Sequence, residues 1–196
     1  MYTSRTGLTI GFHGTDESII KAVINGEREL EPSNNSYDWL GNGIYFWDNS
    51  PSRAMSWAQD LSKRKDSKIK KPAVIGAIID LGYCLDLLDY KNLNLVKEGY
   101  SILKTSLSRS NTKFPTNRGN TSDLLQRELD CAVIESLHES IELTDEKEFE
   151  SVRGVFLEGK ELYPRAGFRE KDHIQICVRN LNCIKGYFLP LERIME

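Results

Sequence analysis

The pattern of apolar and polar positions predicts strands and helices that follow one another without strict alternation. Residues 8–12 are apolar and β-prone, and they lead into His13-Gly14-Thr15. A helix should follow, because Thr15 or Asp16 can cap it, Gly26 can stop it, and an apolar stripe recurs at Ile19, Ile20, Val23 and Ile24. After a polar loop, residues 39–47 form a Gly-punctuated turn that runs into a second strand.

The middle of the chain predicts two further helices and a buried strand. Ser50-Pro51 suits a cap followed by a first helical residue, with one apolar face at Ala54, Trp57, Ala58 and Leu61. Residues 73–81 are almost continuously apolar, which is typical of a strand buried on both faces. Apolar spacing over 93–107 predicts a long helix, and residues 108–121 form a polar loop.

The last third predicts one helix and three strands. The helix begins at Ser122 or Asp123 and runs to about His138, and the strands cover residues 152–157, 173–178 and 183–189. Because βαβ alternation is absent, we expect the α+β class, and 196 residues fit a single domain over residues 1–196. A chain of this size buries roughly 70% of its unfolded surface, which is enough for a core with a cleft.

Composition narrows the functional classes. The net charge of −3 argues against a protein that binds polyanions through bulk charge. The four cysteines form no CxxC pair and no histidine lies at zinc-finger spacing from them, so we expect no metal. The N-terminus lacks a signal-peptide pattern, and no apolar run reaches the roughly 20 residues that span a bilayer. We therefore expect a cytoplasmic protein without a membrane partner.

Three motifs together resemble the His–Tyr–Glu class of ADP-ribosyltransferases, the diphtheria-toxin and poly(ADP-ribose) polymerase type. They are His13-Gly14-Thr15 at the end of the first strand, Gly41-Asn-Gly-Ile-Tyr-Phe46 before a Ser-containing helix, and the strand pair at 173–178 and 183–188. The resemblance spans residues 8–189. It implies a split mixed β-sheet flanked by helices, NAD as the donor substrate, and transfer of ADP-ribose to a macromolecule.

The resemblance implies roles for five residues in binding NAD. His13 would hydrogen-bond the ribose on the adenosine side, and the Gly14 backbone would hold the nicotinamide carboxamide, with Thr15 alongside. Tyr45 would stack on the nicotinamide ring, and Gly43 would let the strand edge approach the ligand. Glycine permits a close backbone approach, and an aromatic face suits a cationic pyridinium. The structural alternatives are a surface histidine beside a turn and a tyrosine that packs into the core, as we expect for Phe46 and Trp47.

The third catalytic position departs from the family. Active members usually carry a glutamate there, and alignment of the last strand pair places Gln175 at that position. His173 and Gln175 alternate onto one face of their strand. Glutamine can orient a ribose hydroxyl, but it supplies neither a negative charge nor a general base. We therefore expect transfer of a single ADP-ribose, with compensation by another carboxylate left open among Glu128, Glu161 and Asp172.

Several basic residues have both a functional and a structural interpretation. Arg127 suits a pyrophosphate contact, although an ion pair with Asp130 on a solvated helix face is favoured. Arg153 and Arg165 are weak candidates for target contacts. Residues 63–71 carry a net charge of +5 and suit a phosphate backbone, although a solvated surface is favoured.

Four hypotheses remain for the function. The first is a mono-ADP-ribosyltransferase that modifies nucleic acid or protein, resembling a toxin of a toxin–antitoxin or phage-defence system with an antitoxin or immunity partner. The second is an NAD glycohydrolase, and the third is a weak NAD-binding module, which Gln175 favours. The fourth is a nucleic-acid-binding protein in which the motifs are coincidental.

Overall fold

A computed structural model describes residues 7–119 and 124–191 of the chain. The predicted start of the late helix at Ser122 or Asp123 lies outside the described residues. No helix within the described ranges is both long and apolar enough to cross a membrane.

Four α-helices are present in the described part of the chain, and the sequence explains where the first two begin. Asp16 caps the first helix by accepting from Ser18 N, and Pro51 opens the second. The predicted late helix begins at Glu128, later than its predicted start. The helices are α1 (Glu17–Ile24), α2 (Pro51–Ser62), α3 (Tyr90–Ser110) and α4 (Glu128–Glu142).

Seven strands form one mixed sheet in the order β4-β5-β6-β2-β1-β3-β7. Among the strand pairs of the described ranges, the β4–β5 pair is parallel and the other five are antiparallel. This confirms the α+β class. The strands are β1 (Thr9–Asp16), β2 (Ile44–Asp48), β3 (Pro72–Ile79), β4 (Cys84–Asp86), β5 (Ser151–Phe156), β6 (His173–Val178) and β7 (Ile184–Phe188).

Two details of the strands differ from the sequence predictions. Strand β4, which has three residues, was not predicted, because so short a segment shows no periodicity. Strand β3 was expected to be buried on both faces, but Ile78 is 38% exposed. Ile75, Ala77 and Ile79 pack into the core on one face of β3, whereas Ile78 has the parity of the other face.

The two faces of the sheet carry separate parts of the core. On the face that we call the α1 face, Ile20 and Val23 of α1 pack with Phe46 and Ile75. On the opposite face, the α2 face, Ala54 of α2 packs with Phe12 and Trp47. Helix α4 covers another part of the α2 face through Ile134 and Leu137, and α3 packs on the outside of α4. Phe46 and Trp47 are buried, as expected.

Gly14 allows α2 to lie directly on β1. A Cβ atom at Gly14 would lie 2.2 Å from the Ala54 carbonyl oxygen, and no backbone atom tolerates that distance. The Gly14→Ala variant should therefore lose about 1–3 kcal/mol in the free energy of unfolding, because α2 must move.

The matched control is Gly186→Ala, at a strand glycine whose added Cβ would meet no atom within 4 Å. Urea unfolding of both variants measures the difference. Equal stabilities would contradict the close contact between α2 and β1.

Candidate functional site

The central sheet opens between β1 and β2. These strands pair only at Gly11–Asp48 and Phe12–Trp47, whereas β1 pairs with β3 along its whole length. The next hydrogen-bonded pair in this register would be Gly14–Tyr45. Instead, His13 donates from Nδ1 to the Tyr45 carbonyl oxygen at 2.8 Å, so a side chain replaces the backbone partner.

The backbone of Gly14 faces this opening. Alternate residues of a strand direct both their N–H and C=O groups toward the same neighbour. The Ile10 carbonyl accepts from Asn49 N at 2.9 Å, on the β2 side, and Gly14 has the same parity as Ile10. Its N–H and C=O groups therefore point toward β2, where pairing has ended. His-Gly-Thr is thus part of a strand and not a turn.

His13 is half-buried and so is not the surface histidine of the structural alternative. Its ring lies on the α1 face, 5.9 Å from the Phe46 ring. Burial lowers the pKa of His13, although the hydrogen bond to Tyr45 opposes this shift. The neutral ring with a proton on Nδ1 leaves Nε2 as its acceptor atom.

Tyr45 is held rigidly on the α2 face. Its hydroxyl donates to the Gly41 carbonyl at 2.8 Å and accepts from Leu40 N at 3.0 Å. Its ring packs against apolar residues beneath α4. Burial raises the pKa of Tyr45 well above its usual value, so the phenol is neutral. The ring position is therefore fixed by the 39–43 turn.

Gln175 lies on the same face as Tyr45 and is its diagonal neighbour across the β2–β6 pair. Its Oε1 accepts from Trp39 Nε1 at 2.6 Å, a contact with no local signal in the sequence. The amide nitrogen of Gln175 remains to act as a donor. Tyr45 and Gln175 thus share one face, whereas His13 lies on the other face and reaches Tyr45 through its ring edge.

The backbone groups of Thr15 and Gly43 pair with other segments, and Gly43, two positions from Tyr45, forms a bridge with Ser33. Thr15 pairs with Ala73 and has the parity that faces β3. A Cβ atom on Gly43 would lie 2.5 Å from the Val178 carbonyl oxygen and 2.6 Å from Cys177 Sγ. The close packing of β2 on β6 therefore accounts for Gly43.

The three carboxylates considered as substitutes for the family glutamate are each held by their own neighbours. Arg118 donates to Glu128, Arg165 N donates to Glu161, and Asp172 accepts from the backbone of Glu158 and Arg169.

The three arginines considered for contacts with NAD or a target lie in different environments. Arg127 occupies the N-cap position of α4 without a side-chain capping bond, and it forms the expected ion pair with Asp130 at 2.9 Å. Arg153 is buried and pairs with Asp48 and Asp86, so it links β2, β4 and β5. The expectation that Arg153 contacts a target is therefore wrong. Arg165 is exposed in the loop before β6.

A polar cavity of about 390 Å³ lies beyond the N-terminal end of β2, on the Gly43 side of Tyr45. Its walls include Asn42, Gly43, His138, Glu150 and Arg179, but not His13, Gly14, Tyr45 or Gln175. Arg179 also bonds Glu135 at 2.6 Å, which lowers the pKa of that half-buried carboxyl against the opposing effect of burial. Within the two described ranges, no cluster of three His, Cys, Asp or Glu residues could hold a metal.

Comparisons with known proteins yield one relative. The chain is 27% identical over 193 residues, covering 89% of this chain and 83% of the relative, to "Uncharacterized protein MJ0359" of Methanocaldococcus jannaschii. No family model matches the chain. No solved structure matches it significantly. The likeness to ADP-ribosyltransferases therefore remains a prediction.

The buried histidines predict how stability changes with pH. Burial lowers the pKa of His13, His138 and His173, and that of His138 falls to about 4. At a pH between these lowered pKa values and the ordinary histidine pKa of 6.5, the unfolded chain binds more protons than the folded chain. The free energy of unfolding should therefore decrease as the pH falls from 6.5 toward 4.

Urea unfolding between pH 4 and pH 7 measures this slope. The His138→Leu variant should show a shallower slope than the parent protein, because it lacks one of the three groups. An identical slope in the two proteins would contradict the assignment to His138.

Proposed function

We propose that the chain is an NAD-dependent mono-ADP-ribosyltransferase that releases nicotinamide. One observation carries the proposal: the sheet opens where His13-Gly14 and Tyr45 face each other, at two of the three motifs of the family resemblance. Of the five residues that the resemblance relates to NAD, His13, Gly14 and Tyr45 adjoin this opening, whereas Thr15 and Gly43 pair elsewhere.

The Gly14 backbone suits a carboxamide. A primary amide offers donor and acceptor groups side by side, and the inferred N–H and C=O of Gly14 complement it. The absence of a side chain lets a flat ring approach the strand edge. The Tyr45 ring would stabilise the pyridinium by roughly 0.5–2 kcal/mol.

Gln175 would orient the ribose next to nicotinamide through its amide nitrogen. It carries no negative charge for an oxocarbenium-like transition state, and losing one such electrostatic contact typically costs a few kcal/mol. The proposal therefore includes slow transfer of single ADP-ribose units. The bond between Gln175 and Trp39 favours a second candidate, a catalytically weak NAD-binding module or NAD glycohydrolase, because it uses one of the two acceptor positions of the amide oxygen.

The acceptor in this proposal is a nucleic acid or a protein in the cytoplasm. The exposed cations of residues 63–71 offer a surface for a phosphate backbone or an acidic protein. An antitoxin or immunity protein would be a further partner if the enzyme acts as a toxin or in phage defence.

Incubation with adenylate-labelled NAD and a cell lysate tests the activity. Samples are then treated separately with protease, RNase and DNase, and released nicotinamide is measured. Label in macromolecules supports transfer and identifies the target class. Release of nicotinamide without label supports the glycohydrolase, and measurable NAD binding with neither signal supports the weak binding module.

Variants of Tyr45 separate stacking from packing. Tyr45→Phe keeps the aromatic face and should retain most labelling, although it loses the bonds to Leu40 and Gly41. Tyr45→Leu and His13→Ala should each lower labelling by at least about tenfold, because they remove the stacked ring or the ribose contact. Circular dichroism of each variant controls for folding. Full labelling by folded Tyr45→Leu would exclude the stacking role.

A further inference from the structure

The polar cavity beyond Gly43 has room for a ligand. Its volume of about 390 Å³ lies within the range of roughly 300–1,000 Å³ that is typical of small-molecule sites. Helix α4 supplies one wall of the cavity through His138, Ile141 and Glu142, and residues 148–150 supply another. No step of the proposed function uses this space.

The walls of the cavity carry a surplus of negative charge. Residues 142–150 contain five acidic residues and one lysine, a net charge of −4. Three of these acids, Glu142, Glu148 and Glu150, line the cavity. Glu142 also lies in the last turn of α4, which contains no basic residue. Because the C-terminal end of a helix is itself partially negative, Glu142 adds to the field of the helix instead of offsetting it.

The positive charge in the cavity wall is already compensated. Arg179 lines the cavity, but its Nη1 donates to Glu135 Oε1 at 2.6 Å and its Nη2 donates to Glu135 Oε2 at 3.4 Å. Nη1 also donates to the Asn42 carbonyl oxygen at 3.2 Å. An anion in the cavity would therefore gain little from this guanidinium and would be repelled by the three glutamates.

His138 lines the cavity as a neutral ring with an unused acceptor. It is 4% exposed, and its Nε2 is enclosed by the protein without a hydrogen-bond partner. Its Nδ1 forms no hydrogen bond within residues 7–119 and 124–191 either, so Nδ1 is the nitrogen left for a ligand in the cavity. Burial lowers the pKa of His138 to about 4, and Arg179 adds to this shift against Glu135. At neutral pH the ring can therefore accept a hydrogen bond, and it does not repel a cation.

The arrangement of the carboxylates suits an organic cation better than a metal ion. Among the side chains of the two described ranges, no group of three His, Cys, Asp or Glu residues could hold a metal. A cation with several N–H groups can instead reach acceptors that lie apart. A guanidinium has five N–H donors and is more weakly hydrated than the compact ammonium group. Ile141 and Phe149 add apolar surface for the carbon chain that bears it.

We propose that this cavity binds a guanidinium group on a short alkyl chain, the chemistry of an arginine side chain or of a free small guanidine. Glu142 and Glu148 accept from its N–H groups, since neither carboxylate has a hydrogen bond or ion pair in the part of the chain that the structure describes. Glu150 contributes negative charge, because its two oxygens already accept from Tyr83 N and Asn180 Nδ2. The site goes beyond the proposed function and does not depend on it.

Titration of ¹⁵N-labelled protein with n-butylguanidinium, followed by NMR in the absence of NAD, tests the site. The amide shifts should be largest at Asn42, His138 and Arg179, in the walls of the cavity. The control ligand is n-butylammonium, which has the same chain and the same charge. It should bind at least about tenfold more weakly, because it offers fewer donors and holds its water more tightly.

Glu142→Gln and Glu148→Gln test the two acceptors. Each variant removes one charge with little change of shape, and neither side chain has a structural partner to lose, so the fold should persist. Each should weaken the binding of n-butylguanidinium by about fivefold or more, because it removes a charge-assisted hydrogen bond. The matched control is Glu146→Gln, which removes the same charge from the same segment but does not line the cavity. It should weaken binding by less than about twofold, because a distant exposed charge is screened.

The source of the guanidinium is identified with N-acetylarginine N-methylamide, a blocked arginine. If it binds as tightly as n-butylguanidinium, the site takes an arginine side chain of a protein, and if it binds more weakly, the site takes a free small guanidine. Both results uphold the site. Equal affinities for the two butyl cations, or equal effects of Glu146→Gln and Glu148→Gln, would show diffuse attraction to the acidic segment and overturn the proposal. Amide shifts that leave out the cavity walls would also overturn it.

Discussion

The hydrogen bond from His13 to the Tyr45 carbonyl determines how the centre of the molecule is built. Continued pairing of β1 with β2 would use that carbonyl for the Gly14 amide. Because the His13 ring takes it, the buried carbonyl keeps a partner while the two strands separate. The sheet therefore stays continuous through the Gly11 and Phe12 pairs and still presents a strand edge in its interior.

Packing on both faces maintains this opening. Helix α2 lies against Gly14 on one face, and the 39–43 turn holds the Tyr45 hydroxyl on the same face. On the other face, Phe46 and the apolar side of α1 support the His13 ring. The groups at the opening are thus pre-organised by the core, which is the arrangement that binding sites generally require.

Local patterns in the sequence predicted much of this structure. The apolar period of α3, the Asp16 cap of α1 and the alternation of β6 all have causes within a few residues, and alternation also placed His173 beside Gln175 on one face. Strand β4 and the Arg153 ion pairs depend on partners about 65 to 105 residues away, so no local pattern contained them. The bond between Trp39 and Gln175 joins residues 136 positions apart, so no local pattern contained it either.

In the proposed function, the opening between β1 and β2 binds the nicotinamide end of NAD. Titration of ¹⁵N-labelled protein with NAD, followed by NMR, tests it most directly. We expect the Gly14 amide resonance to shift downfield as it gains a carboxamide partner, together with ring-current shifts around Tyr45. Shifts confined to Asn42, His138 and Arg179 would place the ligand in the polar cavity beyond Gly43 and would contradict binding at the opening.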